Sequence, residues 1–172
     1  MEIIDIVDEN DVVIWENDRH DSYKNSTTNR LVWVVIFNDD WKIALQKRSK
    51  TCSFLPWYWA LSAWGHVSSW EDYLTSAKRE LFEEIGIECE LKFKIKEYED
   101  RVKINWKLND STESHFYFQA IFEWIYNWDF KLDDWEVEEV KFFSLKELKI
   151  MIENDEKIMP WTVSVLKKYY LK

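Results

Sequence analysis

Glu80, Glu83 and Glu84 stand at i, i+3 and i+4 in a segment whose apolar residues recur at helical spacing. On a helix their carboxylates converge on one side. Three converging carboxylates repel one another unless something cationic sits among them. Crowded oxygen donors of this kind suit Mg²⁺ or Mn²⁺. Arg79, next in the chain, can neutralise and orient them. The bland alternative for the same three residues is a solvated acidic helix surface.

The element that must position them runs from Glu71 to Ile85. Leu74, Ala77, Leu81 and Ile85 recur at steps of three and four and make one apolar face. Ser69 is placed to cap the helix, with Glu71 and Asp72 in its first turn, where carboxylates suit the positive end of the dipole. Gly86 falls where a helix end wants a left-handed residue. The acidic face lies about 110° round the helix from the apolar one. The apolar face can therefore be buried while the acidic one looks sideways into a cleft.

The spacing of Gly65, Glu71, Arg79-Glu80-Leu81, Glu83-Glu84 and Gly86-Ile87 resembles the Nudix box at every fixed position. The approach segment Leu55 to Val67 is similar to that of the Nudix subgroup that also contains isopentenyl-diphosphate isomerase. The resemblance implies an α/β fold, a Nudix-type α/β/α sandwich with a mixed β-sheet. It also implies a single Nudix hydrolase domain over 1–172 and water attack on a nucleoside diphosphate linked to another group, or on a similar diphosphate. Mg²⁺ or Mn²⁺ would be bound by Glu80, Glu83 and Glu84, with the Gly65 carbonyl and Glu71 as further metal candidates. Arg79 would hold the array. Either a box Glu or Glu113 would take the water proton. Lys47 and Arg48 are candidate contacts to a substrate phosphate.

Two rivals remain within the same resemblance. The isomerases place a catalytic Cys where Trp64 stands, and Cys52 lies twelve residues upstream. A His matching their metal ligand is present as His66, but their earlier His position is Asn29 here, and His20 is displaced. A non-catalytic binding module is the other rival. Such relatives usually lose box carboxylates, and this chain keeps them all.

Composition bounds these readings. The chain has 172 residues, 47% hydrophobic and 33% charged, which suits one globular domain. Its net charge of −10 argues against a nucleic-acid groove, which needs a basic footprint. A small diphosphate is the expected partner, with no nucleic-acid polymer and no membrane; the oligomeric state, monomer or homodimer, is left open. Met1-Glu2-Ile3-Ile4-Asp5 is unlike a secretory leader, and no apolar run has transmembrane length, so a cytoplasmic place is expected. Cys52 and Cys89 make neither a disulfide framework nor a zinc site.

Glycine and tryptophan counts are anomalous. There are 2 Gly and 12 Trp, where ordinary usage predicts about 12 Gly. Trp41, Trp57, Trp64, Trp70, Trp128 and Trp161 stand where turns or this family's pattern ask for Gly. The expectation is that most are glycines in the natural chain, a UGA codon having been read as Trp. Trp59 is the exception, because the family has a true Trp there. On this reading Trp64 must either swing outward or fill the cleft, and Trp70 crowds the same cleft.

In chain order, Ile3 to Val7 and Val12 to Trp15 read as strands, and Glu16 to Asn29 as a polar loop. Arg30 to Asn38 and Lys42 to Arg48 read as a hairpin, and Trp59 to Ala63 as the strand delivering Gly65. Ile87 to Glu97, Arg101 to Lys107, Glu113 to Ile125 and Val137 to Phe143 read as further strands. Ser144 with Glu147 is a capping box before a helix over Leu145 to Ile152, and Thr162 to Tyr170 closes the chain as another.

Overall fold

Two apolar faces on one strand set the architecture. In the computed structural model, which describes residues 2–25, 27–100, 116–132 and 135–172, β3 (Asn29–Phe37) is buried almost throughout. Val32, Val34 and Ile36 belong to one hydrophobic cluster, and Leu31, Trp33, Val35 and Phe37 to another. A strand apolar on both sides must lie between two covered layers.

The layers follow. Among the described residues, β4 (Ile43–Arg48), β5 (Trp59–Leu61), β6 (Ala63–His66), β7 (Lys92–Asp100), β8 (Phe116–Ile125) and β9 (Val137–Phe143) complete a seven-stranded sheet around β3. Its path is β5-β4-β3-β8-β7, with β6 on β3 and β9 on β4. β3 and β8 run parallel from Asn29↔Tyr117 to Phe37↔Ile125, and the other pairings are antiparallel. Helix α2 (Tyr73–Ile85) packs Ala77, Leu81 and Ile85 on one face. Helices α3 (Leu145–Glu153) and α4 (Pro160–Tyr169) pack Leu148, Met151, Val165 and Leu166 on the other. This is the expected α/β/α sandwich with a mixed sheet. Among the described residues no helix is long and apolar enough to cross a membrane.

A separate hairpin, β1 (Ile3–Val7) with β2 (Val13–Asp18), packs beside the site. Asp11 fastens it. Its side chain is nearly buried and accepts from Arg30 Nε at 2.6 Å, from the Tyr73 hydroxyl at 3.0 Å and from Lys96 Nζ at 2.5 Å.

Several boundaries differ from the sequence reading. Glu16 to Asn29 is not one loop: β2 extends to Asp18, and α1 (Arg19–Lys24) follows, its start braced by Asp18 Oδ1 accepting from His20 N. The β3–β4 hairpin keeps only the Phe37↔Ile43 pair, because β4 goes on to pair with β5 and β9. The strand expected over Trp59 to Ala63 breaks at Ser62. The Ser62 hydroxyl accepts from Ile36 N at 2.9 Å and donates to Ala44 O at 2.6 Å, turning the chain from β5 into β6. Pro160-Trp161 is no turn, since Pro160 is the first residue of α4, where its missing N–H is not needed. The strand after α2 begins only at Lys92. The strand expected over 101–107, along with Glu113 and His115, lies outside the described residues.

The tryptophan expectation divides. Trp41 (φ 57°) and Trp57 (φ 69°) are left-handed, as glycine-like turn positions would be, and the other four of the six are not. Trp64 does not crowd the cleft. Its ring stacks on Trp33 at 5.6 Å and meets Trp161 at 5.4 Å, in the layer on the α4 side of the sheet.

Candidate active site

α2 begins at Tyr73, two residues later than its sequence suggests. Asp72, not Ser69, caps it, accepting from Thr75 N at 2.7 Å. A carboxylate with two backbone donors ahead outcompetes a hydroxyl there, and these bonds hold the Asp72 pKa down. Glu71 is thereby left outside the helix, with its side chain turned back along it. Gly86 ends the helix at φ 68°, as expected. Leu74 is partly exposed, so the buried apolar face is carried by Ala77, Leu81 and Ile85.

Arg79 lies among the carboxylates. Its Nε and Nη2 donate to Glu71 at 3.0 Å, Nη1 donates to Glu80 at 2.8 Å and to Glu83 at 3.1 Å, and Nη2 also reaches the His66 carbonyl at 3.2 Å. Ser76 donates to Glu71 as well. Burial pushes the Glu71 pKa up, but Arg79 and Ser76 outweigh it and hold the carboxyl below its ordinary value.

Glu80 and Glu84 behave oppositely. Burial pushes Glu80 up to about 8; Arg79 opposes the shift, while Glu83 and Glu2 reinforce it. Glu84 is raised by burial and then by Glu80, against hydrogen bonds from Trp64 N at 3.0 Å and Gln46 Nε2 at 2.7 Å. Two carboxyls on successive turns, Glu84 buried and Glu80 largely so, thus face more negative charge than Arg79 alone balances.

Gly65 on β6 completes this side. A Cβ built there would stand 2.1 Å from the Glu80 carboxyl carbon. Only a residue without one lets backbone and carboxylate approach so closely. His66 follows, buried, with Nδ1 3.9 Å from Glu2 Oε1.

The three box carboxylates are not gathered at one point. Glu83 is half exposed and bonds to Arg79, while Glu84 is buried and turned toward Gln46. Among the described residues, no three His, Cys, Asp or Glu side chains already stand together as a ligand cluster. The physical reason is Arg79, whose guanidinium fills the space that Glu71, Glu80 and Glu83 surround.

The substrate candidates lie on β4. Lys47 Nζ bonds Glu139 at 3.1 Å and sits 5.3 Å from the Trp59 ring. Strand alternation puts Lys47 on the opposite face of the sheet from Gln46 and Glu84. Arg48 is buried, donates to the Phe54 carbonyl at 3.0 Å, and lies 3.7 Å from Glu136. Trp59 is a core residue, edge-on to Phe143 at 5.0 Å. Neither cysteine is in a disulfide: Cys52 Sγ donates to the Glu136 carbonyl at 3.4 Å, and burial pushes the Cys89 thiol up to about 11.

A NUDIX domain family model matches residues 27–162. The chain belongs to this family. An uncharacterised Nudix hydrolase of Yersinia pestis is 37% identical over 87 residues, covering 51% of this chain and 48% of that protein. One of Pseudomonas aeruginosa is 35% identical over 86 residues, covering 50% and 51%. The chain thus matches about half the length of these curated relatives. Among solved structures, the Nudix fold here superposes on DR0079 from Deinococcus radiodurans with a TM-score of 0.79 at 19% identity, covering 98% of this chain and 99% of that one. It superposes on the NUDIX domain of Shewanella oneidensis NrtR, solved with ADP ribose, with a TM-score of 0.59 at 12% identity, covering 88% and 96%. The β1–β2 hairpin lies outside the family match, yet it brings Glu2 close enough to influence Glu80. The sequence reading did not find Glu2 or Gln46. Gln46 had one signal, an amide at an inward position of the otherwise apolar run Ile43-Ala44-Leu45.

Proposed function

We propose that the chain is a single Nudix hydrolase domain over 1–172. Its substrate is a nucleoside diphosphate linked to another group, or a similar diphosphate, attacked by water at phosphorus. The observation that carries this reading is the pair of buried Glu84 and largely buried Glu80 beside Gly65, whose negative charge exceeds what Arg79 supplies.

This donor set fits a hard divalent cation. All its side-chain donors are carboxylate oxygens, and Gly65 keeps backbone within reach of Glu80. Glu80, Glu83 and Glu84 would hold Mg²⁺ or Mn²⁺, with the Gly65 carbonyl and Glu71 as further donors. When bound, such an ion supplies charge neutralisation at phosphoryl oxygens and a water of lowered pKa. Arg79 orients Glu71, Glu80 and Glu83 through its present bonds. One of the box carboxylates, or Glu113, takes the proton from the attacking water. Of the two basic candidates on β4, Arg48 is the one proposed to bring positive charge toward the substrate phosphates; Lys47, on the other face of the sheet and paired with Glu139, is not.

Within the family, the likeness of the segment Leu55 to Val67, with a His at position 66, supports a kinship with the subgroup that also contains isopentenyl-diphosphate isomerase. Trp64 at the isomerase cysteine position favours hydrolysis. A cytoplasmic enzyme without nucleic-acid or membrane partners is consistent with the charge of −10.

The test is a panel of nucleoside diphosphate derivatives assayed for Mg²⁺- and Mn²⁺-dependent release of nucleotide or phosphate. Turnover of at least one class, abolished by EDTA, supports the reading. No turnover of any compound with either ion would remove it.

A further inference from the structure

β4 is buried on both faces, and its alternation assigns each side chain. Ala44 packs in the layer with α2, while Ile43 and Leu45 pack with α3 and α4. Gln46 shares the α2 face. It stands opposite Ala60 of β5 and Val140 of β9, so strands flank it on both sides, and it is fully buried. An amide in such a place needs partners. Its Nε2 donates to Glu84 Oε2 at 2.7 Å, across 38 positions of sequence. Trp64 N, from β6, donates to the same oxygen at 3.0 Å. The Gln46 Oε1 is buried with no hydrogen-bond partner among the described residues. An isosteric hydrocarbon would avoid that orphaned oxygen, so what the amide adds at this position is the bond from its nitrogen to Glu84. The opposite amide orientation would set an oxygen against a carboxylate oxygen.

Two donors from two strands therefore meet on one oxygen of Glu84. Helix α2 fixes the other end of the side chain. With Oε2 tied, the direction of Oε1 is set as well. We propose that Gln46 is a positioning residue that fixes the Glu84 carboxylate for divalent-cation binding. This rests on the metal-dependent hydrolase reading above. Trp64 acts here through its backbone N–H, so its share does not depend on the indole. Groups that orient a ligand from behind in this way typically change metal affinity or activity by about 10- to 100-fold when removed.

The experiment reads Mn²⁺ affinity by electron paramagnetic resonance of the free ion, with the metal-free unfolding midpoint measured alongside. Gln46→Met keeps length and volume but removes the donor. It is expected to weaken Mn²⁺ binding about 10- to 100-fold while the metal-free protein keeps its fold. Gln46→Asn draws the donor back by one methylene and is expected to show a similar loss; it serves where Gln46→Met fails to fold. Glu84→Gln supplies the background that separates positioning from a merely structural role. In that background Gln46→Met should leave Mn²⁺ affinity unchanged, because the group it positions is already lost. Wild-type affinity in either Gln46 variant, or an undiminished further loss in the Glu84→Gln background, would overturn the positioning role alone. Failure of the unaltered protein to bind Mn²⁺ would overturn both this role and the metal site it serves.

Discussion

Gly65 faces the Glu80 carboxylate so closely that a Cβ on Gly65 would lie 2.1 Å from both the Glu80 carboxyl carbon and its Oε1. The contact joins β6 to α2 and places the backbone of the approach strand against a buried acid. Gly65→Ala must therefore displace Glu80, and with it the Arg79 Nη1 bond. Displacement of about 1 Å at such a site can reduce turnover about 100-fold. A loss of at least about tenfold is expected, with the far-UV spectrum unchanged. A fully active Gly65→Ala enzyme would show that this approach is incidental.

Glu83 and Glu84 separate ligand charge from burial. Glu83 is half exposed, whereas Glu84 is buried. Glu83→Gln and Glu84→Gln are each expected to lower turnover by about tenfold to a thousandfold through weaker metal and transition-state electrostatics. Measurement at limiting Mg²⁺ makes the effect largest. Full activity in both variants would eliminate the metal site.

Much of this was legible in the chain. The helix, its Gly86 cap and the residues of the acidic face follow from spacing, because local periodicity and caps are local physics. The placement of Arg79 among Glu71, Glu80 and Glu83 was legible only in outline. The bond from Gln46 to Glu84 spans β4 and α2 and needed the strand order, which periodicity leaves open. Asp72, not Ser69, caps the helix, because the chain becomes helical only at Tyr73 and the first N–H groups to be satisfied lie ahead of Asp72. The Glu2 contribution depended on how the first hairpin docks, and that docking is set by Asp11, an exposed-looking turn residue in the sequence.

Glu80 gives stability a pH dependence of unusual sign. Its ordinary value of 4.5 is raised to about 8 in the folded protein, chiefly by burial. Between these values the folded state binds more proton than the unfolded chain, so stability falls as pH rises. The denaturant midpoint in EDTA should therefore drop from pH 5.5 toward pH 8. Glu80→Gln should flatten this slope, and Mg²⁺ should reverse it at the upper end. The lowered carboxyls Asp8, Asp72 and Glu147 act in the other direction, but their stabilising contribution is lost only as pH falls below their ordinary range. A midpoint that does not move between pH 5.5 and 8, in protein free of metal, would contradict the burial of an excess acid here.

Trp41 and Trp57 carry the last prediction. Both are left-handed, at φ 57° and 69°, in turns where glycine meets no steric penalty. Trp41 N closes its turn on Asn38 O at 2.9 Å, and its ring is largely exposed, touching Phe37 edge-on. Trp57 is also partly exposed. Little packing is lost on removing either indole, and strain of roughly 1–2 kcal/mol is relieved at each site. Trp41→Gly and Trp57→Gly are therefore expected to raise the denaturant midpoint. Trp64 is the contrast. Its ring stacks on Trp33 and meets Trp161 at a tilt, in the layer on the α4 side of the sheet. Trp64→Gly opens a cavity, and the loss is expected to be about 3–5 kcal/mol. The coding DNA gives an independent check, since natural glycines misread as Trp would be UGA codons and native Trp would be UGG. UGG at Trp41 and Trp57, with no gain in midpoint on changing them to Gly, would establish the indoles as native turn residues.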